Sequence, residues 1–242
     1  MQKIIRIDLG TVNCYLLSVK EKFILVDTGG FTFQGNPTDD KCALLDRKLA
    51  ENGCFPGSLA AVLLTHGDVD HIANCRYLQE KYKVKVFIHK DDLSLTRGLT
   101  AEKVLSNFKF DSAVMKAMSF LMGSLIRKMI IKIVASYREF TVDGFIDERT
   151  DLSRYGLDAQ VILLPGHTKG SIGILTKDGD LISGDVFANV KKPGIAMNAL
   201  DFAALRKTVA SLTDKKIQMV YPGHGTPFAF NELKEKHARR GN

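Results

Sequence analysis

The spacing of apolar positions changes along the chain and divides it into blocks. Near the start, short apolar runs alternate with polar turns, so Lys3–Ile7, Cys14–Val19 and Phe23–Val26 read as strands of a meander. From Asp39 to Asn52 the period lengthens, placing Leu44, Leu45 and Leu49 on one side of a helix that Gly53 would stop. Leu59–Leu64 is a continuous apolar run of strand length, followed by a predicted helix from His71 to Tyr82 and a strand over Val84–His89. Between about Asp92 and Val142 helical spacing takes over, with Phe110, Val114, Met118, Leu121, Leu125, Met129 and Ile133 in one stripe. Strands return at Gln160–Leu164, Gly173–Thr176, Asp180–Ser183 and Gln218–Tyr221, with helices around Phe202–Leu212 and Asn231–Arg239. The strands-then-helix plan occurs twice. This predicts an α/β protein, one domain over 1–242, with a helical insertion at about 92–145.

Composition leaves this picture intact: 242 residues, 45% hydrophobic and 25% charged, describe an ordinary globular chain able to bury a substantial core. The longest apolar stretch, Ala117–Ile126, contains two serines and a glycine and falls short of the ~20 residues a spanning helix needs. No transmembrane segment is expected. The four cysteines form no CxxC pair and the N-terminus does not look like a signal peptide, so free thiols in a cytoplasmic protein are expected. The 34 basic and 27 acidic residues give a net charge of +7, which by itself is no nucleic-acid signature. The excess is localised. Between Ala101 and Phe140 seven basic residues (Lys103, Lys109, Lys116, Arg127, Lys128, Lys132 and Arg138) face three acidic ones (Glu102, Asp111 and Glu139).

The candidate chemistry gathers after apolar runs. Directly beyond Leu64 come His66, Asp68, Asp70 and His71, two imidazoles and two carboxylates within six residues. A helix start accounts for one Asp as an N-cap, but for neither His. Three more signals occur later: Gly166-His167, Gly184-Asp185 and Gly223-His224, each after an apolar run that would deliver the chain to a common sheet edge. Four of the six histidines fall in these signals, whereas His89 and His237 have no such setting. The adjacent Lys191 and Lys192 read as a solvated loop.

Taken together, these motifs resemble the metallo-β-lactamase-fold hydrolases, whose hallmark HxHxDH is followed by a lone His, a lone Asp and a final His. The resemblance spans nearly the whole chain and includes Asp27-Thr28-Gly29, Pro165-Gly166-His167-Thr168, Gly184-Asp185 and Gly223-His224-Gly225. It implies an αββα four-layer sandwich and two divalent metal ions, zinc foremost, with iron or manganese as alternatives. His66, Asp68 and His167 would hold one ion, Asp70, His71 and His224 the other, and Asp185 would bridge them. Asp68 departs from the pattern, standing where the usual second histidine would be. A carboxylate can serve there, and it makes the set harder and more anionic.

The implied activity is hydrolysis of a carboxylic ester, lactone or thioester by a metal-bridging hydroxide, with Asp70 also orienting the water and carrying its proton. A phosphodiesterase is an alternative. So is a di-iron oxidoreductase, since Asp68 is similar to the residue found in the fold's di-iron flavoprotein reductases, although no flavodoxin-like domain fits here. The expected partner is a small, partly apolar molecule, with no nucleic acid. The stripe in the insertion reads first as a core face; the sharper alternatives are a lid that overhangs the metal mouth with Phe31 and Phe33, a homodimer surface, or a contact with an anionic membrane.

Overall fold

The computed structural model describes residues 3–19, 22–31 and 41–233. Its elements in chain order are β1 (Lys3–Asp8), β2 (Asn13–Val19), β3 (Lys22–Val26), α1 (Lys41–Glu51), β4 (Leu59–Leu63), α2 (Val69–Ile72), α3 (Cys75–Tyr82) and β5 (Val86–Ile88). After a 3-10 turn over Lys90–Thr96 come α4 (Ala101–Asn107), α5 (Ala113–Leu121), α6 (Gly123–Ser136) and β6 (Gly144–Phe145). The second half contains β7 (Ala159–Leu163), β8 (Ile172–Thr176), β9 (Asp180–Asn189), β10 (Gly194–Ile195), α7 (Phe202–Ser211), β11 (Met219–Gly225) and β12 (Phe228–Ala229). The predicted helix over Asn231–Arg239, with His237, and Phe33 lie largely or wholly outside the described residues.

Two mixed sheets form, in the orders β1-β2-β3-β4-β5-β6 and β12-β11-β9-β8-β7, with β10 on β9. Alternation along β2 shows how they stack. Tyr15, Leu17 and Val19 face Val161, Ile172, Ile174 and Ile182 of the other sheet, while Cys14 and Leu16 face Leu45 and Leu49 of α1 and Leu78 of α3. The outer face of the second sheet packs Leu164, Leu181 and Val220 on Leu205 of α7. The result is the predicted αββα sandwich. None of the four cysteines is in a disulfide.

Three predicted elements differ. The helix expected from His71 to Tyr82 breaks after α2, because Thr28 captures the His71 carbonyl with both its N–H (2.8 Å) and its hydroxyl (2.9 Å). The backbone N–H and side-chain amide of Asn74 meanwhile donate to the carbonyls of Gly29 and Thr28. Strand β9 runs on through Gly184 and Asp185, and β11 includes Gly223 and His224, so these signals sit within strands and not beyond them. The β9–β11 register shifts on both sides of Pro222, which aims the site residues. Finally, the apolar stripe is a core face only at its end, where Ile133 is buried and Met129 packs beside it. It is split between α5 and α6, and Val114, Met118, Leu121 and Leu125 are exposed; only Ile130 and Ile133 of α6 are buried.

Candidate metal centre

Strand β4 ends at the first ligand candidates. Residues 64–68 leave the sheet edge in extended and turn conformations and α2 then carries Asp70 and His71 inward. Gly67 lets this turn pass under the 3-10 segment, where a Cβ would come within 2.6 Å of Leu95. Asp68 stands at the N-cap position of α2, yet its side chain accepts no capping hydrogen bond. Its carboxylate lies instead 3.0 Å from His167 Nε2 and 3.8 Å from His66 Nε2. The cap reading of Asp68 therefore fails on geometry.

All seven sequence-predicted residues come together. Beyond the Asp68 contacts, His167 Nε2 is 3.8 Å from Asp185 Oδ2, and His71 Nε2 is 3.3 Å from Asp185 Oδ1. His224 Nε2 is 3.1 Å from Asp185 Oδ2 and 3.4 Å from Asp70 Oδ2. Asp185 thus touches both groups of imidazoles. Gly223 permits this approach, since a Cβ there would stand 2.1 Å from Asp185 Oδ1 and 2.7 Å from His71 Cε1.

Each imidazole is oriented through its other nitrogen. His66 Nδ1 meets the Thr65 hydroxyl at 2.9 Å, His71 Nδ1 the Asp27 carboxylate at 2.9 Å, and His167 Nδ1 the Asn198 carbonyl at 3.1 Å. His224 Nδ1 meets the Thr11 carbonyl. The Nε2 atoms are left to converge. His66 Nε2, His71 Nε2 and Asp185 Oδ1 are buried without a hydrogen-bond partner, an expensive state for polar atoms unless something else satisfies them.

A cation fits. First-row ions bound at about 2.0–2.2 Å hold neighbouring ligand atoms roughly 3–3.6 Å apart; four of the separations above, 3.0, 3.1, 3.3 and 3.4 Å, fall in that range, and the other two are 3.8 Å. Asp27 also lies near His66 and His71, but its oxygens already accept from Thr65 N, Thr65 Oγ1 and His71 Nδ1, so it orients and does not ligate. Electrostatics point the same way. Burial disfavours charge on His71 and His224, yet Asp185 and Asp70 outweigh it and raise both well above the usual imidazole range. His167 is raised to about 9, with Asp68 overcoming burial. His66 alone is held low, by burial and by His71 and His167. The three carboxylates, Asp70 buried and Asp68 and Asp185 partly so, favour positive charge on the neighbouring imidazoles, as a cation would supply.

Supporting residues that the sequence reading missed lie far apart in the chain. The buried Asp92 accepts from Gly67 N (2.9 Å), Thr168 Oγ1 (2.7 Å) and Gly170 N (2.7 Å), tying the first histidine turn to that of His167. Asn13 and Tyr15 hold the His224 turn by donating to the Pro222 carbonyl at 2.9 and 2.6 Å. Tyr15 lay inside an apolar strand run and Asn13 just before it, and Asp92 sat at the start of a helical block. His89 caps the 3-10 turn by accepting from Asp91 N, as suits a residue outside the cluster.

The helical block reaches the cluster. A cleft beside Asp68 and Asp70 is walled by Leu95, Leu99, Val104 and Phe108, with Lys103 and Asn107 as its polar members. Phe31 does not line it; the ring packs under α6 against Val69 and Ile133.

Comparison with known proteins agrees with the geometry. The sequence model of the metallo-beta-lactamase superfamily matches residues 7–224. A probable metallo-hydrolase of Bacillus subtilis (strain 168), YqgX, is 25% identical over 219 residues, covering 88% of this chain and 84% of that one. Among solved structures, a metallo-beta-lactamase family protein of Thermus thermophilus superposes with a TM-score of 0.67 at 20% identity, over 99% of this chain and 79% of that one. Another, TTHA1623 in a di-iron-bound form, gives 0.61 at 22% identity over 94% of each chain. With the family's signature matched from β1 to the last histidine of the cluster, the chain belongs to the metallo-beta-lactamase superfamily.

Proposed function

We propose that this metal-dependent hydrolase cleaves a carboxylic ester, lactone or thioester in a small, partly apolar molecule. His66, Asp68, His167 and Asp185 would hold one divalent ion, and Asp70, His71, His224 and Asp185 the other, with zinc the first choice. The observation that carries this reading is that His66 Nε2, His71 Nε2 and Asp185 Oδ1 are buried in the cluster without a hydrogen-bond partner. Two bound ions supply a hydroxide nucleophile near neutral pH and polarise the oxygen of the bond under attack.

The chain's own residues do the rest. Thr65, Asp27, Asn198 and Thr11 fix the four imidazole planes before any ligand arrives, so little reorganisation is needed. Asp70 belongs to the cluster and also borders the cleft, so in this reading its carboxylate would take the nucleophile's proton and pass it to the leaving group. Leu95, Leu99, Val104 and Phe108 form an apolar wall beside Asp68 and Asp70 that would border an apolar part of the substrate. Asp70→Asn is expected to lower turnover by roughly 10²- to 10⁴-fold; full metal content with an unchanged rate would remove the proton role.

Elemental analysis of purified protein, combined with an aryl ester, a lactone, a thioester and a bis-aryl phosphodiester, tests the class. Turnover of one of the first three that scales with metal content is the expected result. Turnover of the phosphodiester alone would move the assignment to phosphoryl chemistry. One observation favours a second reading: the Asp68 carboxylate hardens the site toward iron, and a neighbour of the same fold is di-iron-bound. Bound iron with a visible absorption band, oxygen consumption from a reduced donor and a silent hydrolysis panel would select it.

A further inference from the structure

Helices α5 and α6 form a surface that the metal centre does not use. No residue of α5 is buried, and Phe120 and Leu121 at the junction with α6 are 87% and 81% exposed. Val114, Met118, Leu121 and Leu125 continue the same apolar surface, joined by Met122 and by Ile131 further along α6. Exposed apolar groups this dense mark an interaction site. The other face of α6 is spoken for, since Ile130 and Ile133 are buried and Ile133 packs on Val69 beside the metal motif.

Charge identifies what covers the surface. From Ser112 to Arg138 the sequence holds five basic residues, Lys116, Arg127, Lys128, Lys132 and Arg138, and not one acidic residue. Arg127 pairs with Glu102 of α4 and Arg138 with Glu80, but among the described residues no carboxylate pairs with Lys116, Lys128 or Lys132. On α6 the exposed positions Leu125, Lys128, Ile131 and Lys132 interleave apolar and basic groups on one face. A second copy of the chain is a poor occupant. A two-fold interface sets the same patch against itself, which would bring the unpaired lysines of both copies together without a counter-charge. An anionic bilayer surface matches both properties at once, offering acyl chains to the apolar side chains and phosphate or carboxylate headgroups to the lysines. No described helix is long and apolar enough to cross a membrane, so the contact would be peripheral.

We infer that the consecutive helices α5 and α6, joined through Met122, dock this protein onto anionic lipid surfaces, with Phe120, Leu121 and Leu125 entering the headgroup region and Lys116, Lys128 and Lys132 contacting headgroups. The contact is independent of which bond the metal centre cleaves.

The test is co-sedimentation of the full-length, metal-loaded protein with vesicles of phosphatidylcholine alone or with one third phosphatidylglycerol, at low and high salt. Expected are binding to the anionic vesicles at least tenfold stronger than to the neutral ones, and weakening with salt. The double variant Phe120→Asp, Leu121→Asp and the triple variant Lys116→Glu, Lys128→Glu, Lys132→Glu should each lose at least tenfold in binding. Both should keep the wild-type metal content and thermal transition. Absence of binding to anionic vesicles at low salt overturns the inference. So does a concentration-dependent dimer, seen by light scattering, that the Phe120/Leu121 variant abolishes, because the occupant is then a second copy.

Discussion

Asp27 shows how much a single residue can hold. Its φ of +59° lies in the left-handed region that a non-glycine residue enters at a cost of about 1 kcal/mol or more. The conformation persists because the carboxylate accepts three hydrogen bonds, from Thr65 N and Oγ1 at 2.8 Å each and from His71 Nδ1 at 2.9 Å. One acid therefore sets the exit of β4 and the plane of a ligand imidazole. Asp27→Ala is expected to weaken divalent ion binding by roughly 10- to 100-fold, the usual effect of losing a group that orients a metal-bound histidine. Competition against a chelator of known affinity measures it, and an affinity within twofold of wild type would show that His71 is oriented by packing alone. Asp27 was visible in the sequence as part of a recognisable segment. Asp92 was not, because its partners Gly67 and Gly170 lie 25 and 78 residues away and only the folded chain brings them to it.

At the scale of elements, legibility followed burial. Strands β1 to β4 and β7 to β9 were readable because each buries residues on a sheet face, and the ligand candidates announced themselves by following those apolar runs. The break between α2 and α3 was invisible, since it depends on Thr28 and Asn74 redirecting backbone hydrogen bonds across 43 and 46 residues. The α5–α6 stripe misled for the opposite reason: apolar periodicity predicts burial only when the chain itself supplies the cover. Packing of α1 on α3 offers a cleaner test. Asp46 of α1 accepts from Tyr82 Oη at 2.9 Å and from Lys81 Nζ at 2.8 Å, both at the end of α3. Burial pulls the Asp46 carboxyl upward, but the bonds from Lys81 and Tyr82 outweigh it and leave the group below its usual range. A carboxylate depressed in the folded state stabilises above its unfolded pKa of about 3.9 and loses that contribution as pH falls through the folded value. Asp46→Asn is therefore expected to cost roughly 1 kcal/mol at pH 7, with the difference shrinking below about pH 4. Urea denaturation at pH 7 and pH 3.5 checks this; an equal difference at both would assign the effect to packing.

Across the whole molecule the candidate centre is a seam. His66, Asp68, Asp70 and His71 follow β4 of the first sheet, whereas His167 precedes β8, and Asp185 and His224 belong to β9 and β11 of the second. Between the sheets at this end lie three carboxylates and four imidazoles in place of an apolar core, and their charges balance only with protons or cations present. Ions that bind the folded chain alone stabilise it by mass action, about 4 kcal/mol for each ion present at a thousandfold excess over its dissociation constant. For a chain of this size each kcal/mol moves the thermal midpoint by about 2–4 °C. Stripping the metal should therefore lower the midpoint by about 8–16 °C for each ion lost, and returning stoichiometric zinc should restore it. The same treatment should loosen the sheets relative to each other more than within themselves. Amide hydrogen exchange should then quicken first at Thr65–His71 and around His167 and His224, while the centres of β2 and β8 stay protected. A midpoint unmoved after verified metal removal would mean that the sandwich's apolar layers hold the two sheets together without the seam.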